Sequence, residues 1–348
     1  MIFGLVSLMF LDTSINMAMQ PFKMMVGDMV NEKQKGLAYS IQSFLCNAGS
    51  LVGFLFPFIF TWIGISNIAP QGVVPDSVIY SFYIGAAILI LCVIYTTVKV
   101  KEMPPAEYAE YHGITEEEEK EKINMVKLLV KAPKAFWTVG LVQFFCWFAF
   151  MFMWTYTNGS VAANVFDAPT VETAVNGVSK VMLDTKSIQY QDAADWVGVL
   201  FAVQAIGSVL WAVCIPLFKD RKLIYSLSLV LGGLGFISTY FVHNQYVLFI
   251  SFLLIGCAWA AMLALPFTIL TNALSGGHMG TYLGLFNGTI CIPQIVAASL
   301  GGSILALFTP KGMLPPEINM LVMAGVMLII GAVCVYLIKE TKGEQTKA

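Results

Sequence analysis

Apolar residues run along this chain in blocks of 20 or more, separated by short polar breaks. Nine blocks are long enough to span a bilayer, which takes about 20 mostly apolar residues per helix. They cover 3–27, 37–64, 78–98, 134–157, 195–218, 223–242, 246–271, 280–308 and 318–338. Pro21, Pro57, Pro216, Pro266 and Pro293 interrupt them, and membrane helices tolerate such breaks because neighbours satisfy the freed carbonyls. Two polar stretches are long. Residues 99–133 contain the run EEEEKEK at 116–122 and then INMVKLLVKA, an amphipathic stretch suited to the membrane surface. Residues 158–194, rich in Ala, Asn, Asp and Thr, read as a loop capping the opposite end.

Composition agrees with this reading. Of 348 residues, 58% are hydrophobic and 11% charged, against roughly 45–50% and about 25% in soluble domains. The net charge of −2 offers no basic excess for nucleic acid. The seven cysteines are scattered through apolar runs without a CxxC pair, so neither a disulfide frame nor a zinc site is expected. The expected cofactor set is empty, and no HExxH or paired-carboxylate constellation suggests an enzyme.

The positive-inside rule sets the orientation. If the first span runs outward to inward, all 19 basic residues except Lys180, Lys186 and Lys311 lie on the cytoplasmic side. The C-terminus is then cytoplasmic and Met1 external, in the inner or plasma membrane. A weak internal repeat follows the same frame. Pro21-Phe22 near the end of the first span is echoed by Pro266-Phe267 in the seventh, and Lys35-Gly36 by Met279-Gly280. Two parallel repeats joined by a charged linker build a twelve-span transporter. The spacing would put the counterpart of the fourth span about 110 residues before Met1, room for three spans. The nine blocks are therefore expected to be helices four to twelve, in an all-α polytopic fold. Residues 1–98 form the remnant of an N-terminal bundle, 99–133 the linker, and 134–348 a six-helix bundle with its tail.

Chemistry concentrates in residues 11–28, LDTSINMAMQPFKMMVGD. Asp12, Asn16, Gln20 and Lys23 share an arc of roughly 80°, so one polar stripe descends an otherwise apolar helix. Charges inside a bilayer are costly and generally face a cavity or a partner. Asp12 suits a proton carrier, its carboxyl raised toward neutrality by a dry site, or else a structural carboxylate. Lys23, about 16 Å away, either joins the coupling or snorkels. Asp28 reads as a gating charge or a solvated helix end. Further polar positions are Gln42 and Asn47 in the second span, Gln143 and Trp147 in the fourth with Trp154 beyond, Gln204 in the fifth, and Asn287 and Gln294 in the eighth. Amides bond sugar hydroxyls and aromatic faces suit pyranose C–H groups, though each is also ordinary packing glue. The pairs Gly49/Gly53 and Gly280/Gly284 suggest close helix crossings.

Residues 11–28 resemble the fourth helix of the sucrose-transporter-like branch of the major facilitator superfamily. Asp12, Asn16, Pro21, Lys23 and Asp28 match its Asp, amide, Pro, basic and Asp positions, with Lys23 standing where the branch usually has Arg. The stretches DWVGVLFAV (195–203), GCAWAAMLALPFTILTNAL (256–274) and GTYLGLFNGTICIPQ (280–294) are similar too. The resemblance implies a disaccharide:proton symporter, for a sugar such as sucrose or maltose, working as a monomer in the lipid bilayer. Asp12 and Lys23 would carry proton coupling. A sodium-coupled glycoside symporter and a non-transporting fragment or sensor are the alternatives.

Overall fold

The computed structural model describes residues 2–65, 74, 76–101, 104, 107, 125–175, 178–274, 279–310 and 312–338. Each expected apolar block falls on a helix. These are α1 (Ile2–Met29), α2 (Glu32–Trp62), α3 (Asp76–Lys99), α5 (Lys134–Asn164), α6 (Ile188–Cys214), α7 (Arg221–Ser238), α8 (Leu248–Ala273), the pair α9 (Met279–Phe286) and α10 (Gly288–Phe308), and α11 (Ile318–Cys334). Seven segments among the described residues are long and apolar enough to cross a membrane, from Asp76–Lys99 through Ile318–Leu337. The other two, α1 with 28 residues and α2 with 31, have the length to do so.

The amphipathic stretch after the acidic run contains a six-residue helix, α4 (Met125–Val130). The EEEEKEK run lies outside the described residues.

Boundaries move for local reasons. Ser187 opens α6 by accepting a hydrogen bond from the Tyr190 amide at 3.3 Å, so the helix begins two turns ahead of the apolar block. Asp220 opens α7, its Oδ1 taking the Lys222 and Leu223 amides at 2.9 and 3.0 Å. The eighth block is not one continuous helix. It turns at Asn287, which separates α9 from α10.

The expected capping loop at 158–194 is a correction. Helix α5 runs on to Asn164, and beyond it an antiparallel hairpin pairs β1 (Thr170–Val175) with β2 (Val178–Leu183), Thr170 opposite Leu183. The two positions between the strands are Asn176 and Gly177, the strongest short-range hairpin signal.

Packing centres on residues 134–338. Helix α8 lies against α6 and α7, α11 against α5 and α7, and α10 against α5. Their contacts carry the continuous core of Phe136, Phe150, Phe152, Tyr225, Phe236 and Phe252. Helix α2 crosses over to α6 and α8 and buries Tyr39 and Asn47 there. Helices α1 and α3 contact little else, and most of α3 faces outward with apolar side chains such as Ile88, Leu91 and Tyr95. In lipid that exposure is the solvated state of a spanning helix, since lipid tails are as apolar as leucine.

The close crossings are not at the expected glycine pairs. A Cβ on Gly49, Gly53 or Gly284 would meet nothing within 4 Å. The helices instead approach through Gly207 of α6 with Gly256 of α8, and Gly233 of α7 with Gly325 of α11, each facing opposing backbone. A small-xxx-small spacing marks two glycines on one face, but not which face meets a neighbour.

Candidate functional site

Asp12 sits near the middle of α1 and is exposed, not enclosed in the dry site expected for it. The reason is the sparse packing of α1, whose main contacts among the described residues are with α2 and α9. Its carboxylate nevertheless lies near enough to Cys291 of α10 to act on it electrostatically. Asn16, half-buried one turn on, donates Nδ2 to the Asp12 carbonyl at 2.9 Å. That bond uses one amide proton within the helix and leaves the side-chain oxygen available. The side chains of Gln20, Lys23 and Asp28 lie outside the described residues, although all three positions belong to α1.

Facing α1 is the turn at Asn287. Its Nδ2 reaches Cys291 Sγ at 3.8 Å, and its Oδ1 is buried without a partner. Helix α5 abuts this region, since a Cβ on Gly140 would meet the Thr289 methyl at 2.9 Å. Gln143 follows Gly140 one turn later on α5. It is fully buried. Its Nε2 donates to the Met262 carbonyl of α8 at 3.1 Å, while its Oε1 has no partner.

One turn further along α5, Trp147 buries an indole N–H without an acceptor. Its ring meets Trp259 of α8 edge-on, 5.7 Å between centroids. Trp154 approaches Trp259 in the same way at 5.7 Å, and Phe150 completes the cluster at 4.8 Å. Trp154 remains 44% exposed, so the three tryptophans form a wall with one open edge. Trp259 was not among the sequence-predicted positions. The signal was present: one Trp in GCAWAAM, where small neighbours leave only the indole to fill space.

The remaining candidates divide. Gln42 of α2 buries Nε2 without a partner, and Gln294 is half-buried on α10. Asn47 lies at the α2–α8 seam. Its Nδ2 donates to the Ser43 carbonyl at 2.6 Å, and Ser43 Oγ donates to the Ala260 carbonyl at 3.4 Å. Gln204 is buried where α6 crosses α8, its backbone carbonyl against Gly256. Ser43 and Gln143 thus tie α2 and α5 to α8, and Gln42, Asn47, Gln143, Trp147 and Asn287 each retain an unused buried polar atom. A buried polar atom left unpaired costs about 1–3 kcal/mol, and a polar solute could relieve it.

A model of the Major Facilitator Superfamily matches the chain over residues 3–183 and again over 161–348. The crystal structure of the E. coli fucose:proton symporter aligns with a TM-score of 0.56 at 14% identity, covering 89% of this chain and 71% of that one. At that identity the likeness is one of fold. No individual curated protein matches the chain in sequence.

Proposed function

We propose that this chain, which belongs to the major facilitator superfamily, is a sugar:proton symporter. Membership makes it a membrane-embedded transporter of small-molecule solutes, not an enzyme. Our finer reading places it in the sucrose-transporter-like branch, with α1 carrying that branch's fourth-helix motif and a disaccharide as cargo. The fucose:proton symporter, of similar fold, moves a sugar together with a proton, and this lends the reading support. In this reading the protein sits in the cytoplasmic membrane with its C-terminus inside.

One observation carries the proposal. Gln143 and Trp147 of α5 and Asn287 at the α9–α10 turn hold buried polar atoms without partners, Trp147 packs on Trp259, and the Asp12 carboxylate acts on Cys291 one turn beyond Asn287. Amides bond hydroxyls in either direction and an indole N–H donates to them, and the indole faces cover the apolar side of a pyranose. Transport then proceeds by alternating access, two helical bundles rocking about a site near the midplane. Asp12 takes a proton from outside, the sugar fills the amide pocket, and both leave inside.

The test is solute-driven proton movement in proteoliposomes. Adding disaccharide outside is expected to acidify the lumen, with the same rate when choline replaces Na⁺. Acidification that is absent while sugar entry follows Na⁺ would replace the proton with sodium. No sugar entry under either ion would reject transport of disaccharides.

The tryptophan wall gives a second expectation. Trp259→Ala should raise the KM for sugar about tenfold, equivalent to about 1.4 kcal/mol, and Trp259→Phe should recover most of it. An unchanged KM in both variants would remove the wall from the substrate site.

A further inference from the structure

Glu317 belongs to none of the groups above. It immediately precedes α11, yet its side chain makes no capping hydrogen bond. The carboxylate instead lies directly against Gly159 of α5, both oxygens occupying the space that a Cβ at 159 would need. Gly159 is buried, and Ser160 beside it buries a hydroxyl with no partner. Tyr156, one turn back on the same face, feels the carboxylate, and its hydroxyl abuts Gly301 of α10. The half-buried carboxyl group therefore sits at the start of α11 against α5, beside the point where Tyr156 meets α10. By the lysine distribution this is the outer end of the bundle.

We propose that Glu317 is a proton-operated latch, which seats the α10–α11 turn on α5 when neutral and releases it when charged. A neutral carboxyl can donate its own proton and needs little hydration, whereas a carboxylate buried without a cation strongly prefers water. Glu317 has no cation among the described residues. Tyr156 is the titratable group facing it from α5, and the described parts of α10, α11 and the 309–317 segment present no other; Lys311 lies outside them. Burial pushes the Glu317 carboxyl from 4.5 up to about 7. Next to the seat is a small cavity lined by Ser160, Asn164, Thr239, Phe252, Ile318 and Leu321.

The sign follows from linkage. The folded protein holds this proton more tightly than the unfolded chain does, so seating is strongest in acid and is lost as pH rises through about 7. Acid outside thus closes the outer joint. This holds whatever the cargo, so it can fail or stand separately from the symport reading.

The experiment uses the full chain in lipid without sugar, titrated between about pH 5 and about pH 9. Infrared difference spectra, wild type minus Glu317→Gln, should show a carboxylic acid band that disappears with a midpoint near 7. Hydrogen exchange of peptides over 312–321, corrected for intrinsic rate, should lose protection across the same range in wild type and stay protected in Glu317→Gln. If that variant does not fold, the wild-type protection profile decides alone. A midpoint near the ordinary 4.5, or protection that does not change with pH, would overturn the latch.

Discussion

Asp12→Asn is expected to abolish uphill sugar accumulation while sugar exchange across the membrane continues. The reasoning is energetic. A membrane potential of 100 mV supplies about 2.3 kcal/mol per charge moved, enough for roughly 40–50-fold accumulation. That energy reaches the sugar only if a charge crosses with it, and a group in the site must bind and release the proton. On α1 the described candidate is Asp12, positioned against Cys291 and the Asn287 turn. Asparagine keeps the size and much of the hydrogen bonding but cannot take up the proton. Exchange needs only the loaded carrier to reorient, so labelled sugar should still equilibrate between the two sides. The measurement is paired: concentrative uptake in energised vesicles, and counterflow in de-energised ones. Accumulation that persists in Asp12→Asn and collapses with an uncoupler would take Asp12 out of the coupling step. Loss of both activities would show that the residue is needed for the site itself.

What the sequence disclosed depended on the range of the signal. Blocks of apolar residues depend only on local order, and all nine became helical with ends shifted by up to two turns, the eighth as two helices divided at Asn287. The hairpin at 170–183 was equally local, with Asn176-Gly177 in plain view, but an overall picture of spans and loops concealed it. Contacts between helices were another matter. Gly49 and Gly53 have the spacing of a helix crossing and face open space, while Gly207 and Gly256, on different helices, make a real one. No one-dimensional pattern pairs residues 49 positions apart. Trp259 shows the same limit: its role comes from meeting Trp147 and Trp154 of another helix. Glu317 is the extreme case. A lone Glu at a helix start reads as a solvated N-terminal charge, and only the tertiary structure shows that Gly159 leaves it a half-buried seat. For α1 the polar stripe was legible from periodicity. The enclosure expected around Asp12 was not, because that depends on what packs against α1.

Gly256→Val should be the most damaging single substitution among the helix crossings. A side chain at 256 would enter the α6 backbone, touching the Gln204 carbonyl and lying 2.7 Å from the Ser208 nitrogen and 3.0 Å from the Gly207 carbonyl carbon. Gly207 faces α8 in return, with the Leu253 carbonyl oxygen 2.5 Å from where its Cβ would be. Flexible side chains can swing aside, but helix backbone cannot, so the two helices must separate. Inserting methyl groups into packed interiors costs about 1–3 kcal/mol and sometimes more; a backbone obstacle puts this site at the upper end. Separation also moves Trp259, one turn along α8, away from Trp147 on α5. Gly256→Val should therefore lower the melting temperature in detergent and raise the KM for sugar together. Gly53→Ala is the matched control, a methyl added to a helix where nothing lies within 4 Å, and its stability should stay within about 0.5 kcal/mol of wild type. Equal melting of Gly256→Val and wild type would mean that α6 and α8 do not cross at these glycines. A lower melting temperature with an unchanged KM would keep the crossing but separate it from the tryptophan wall.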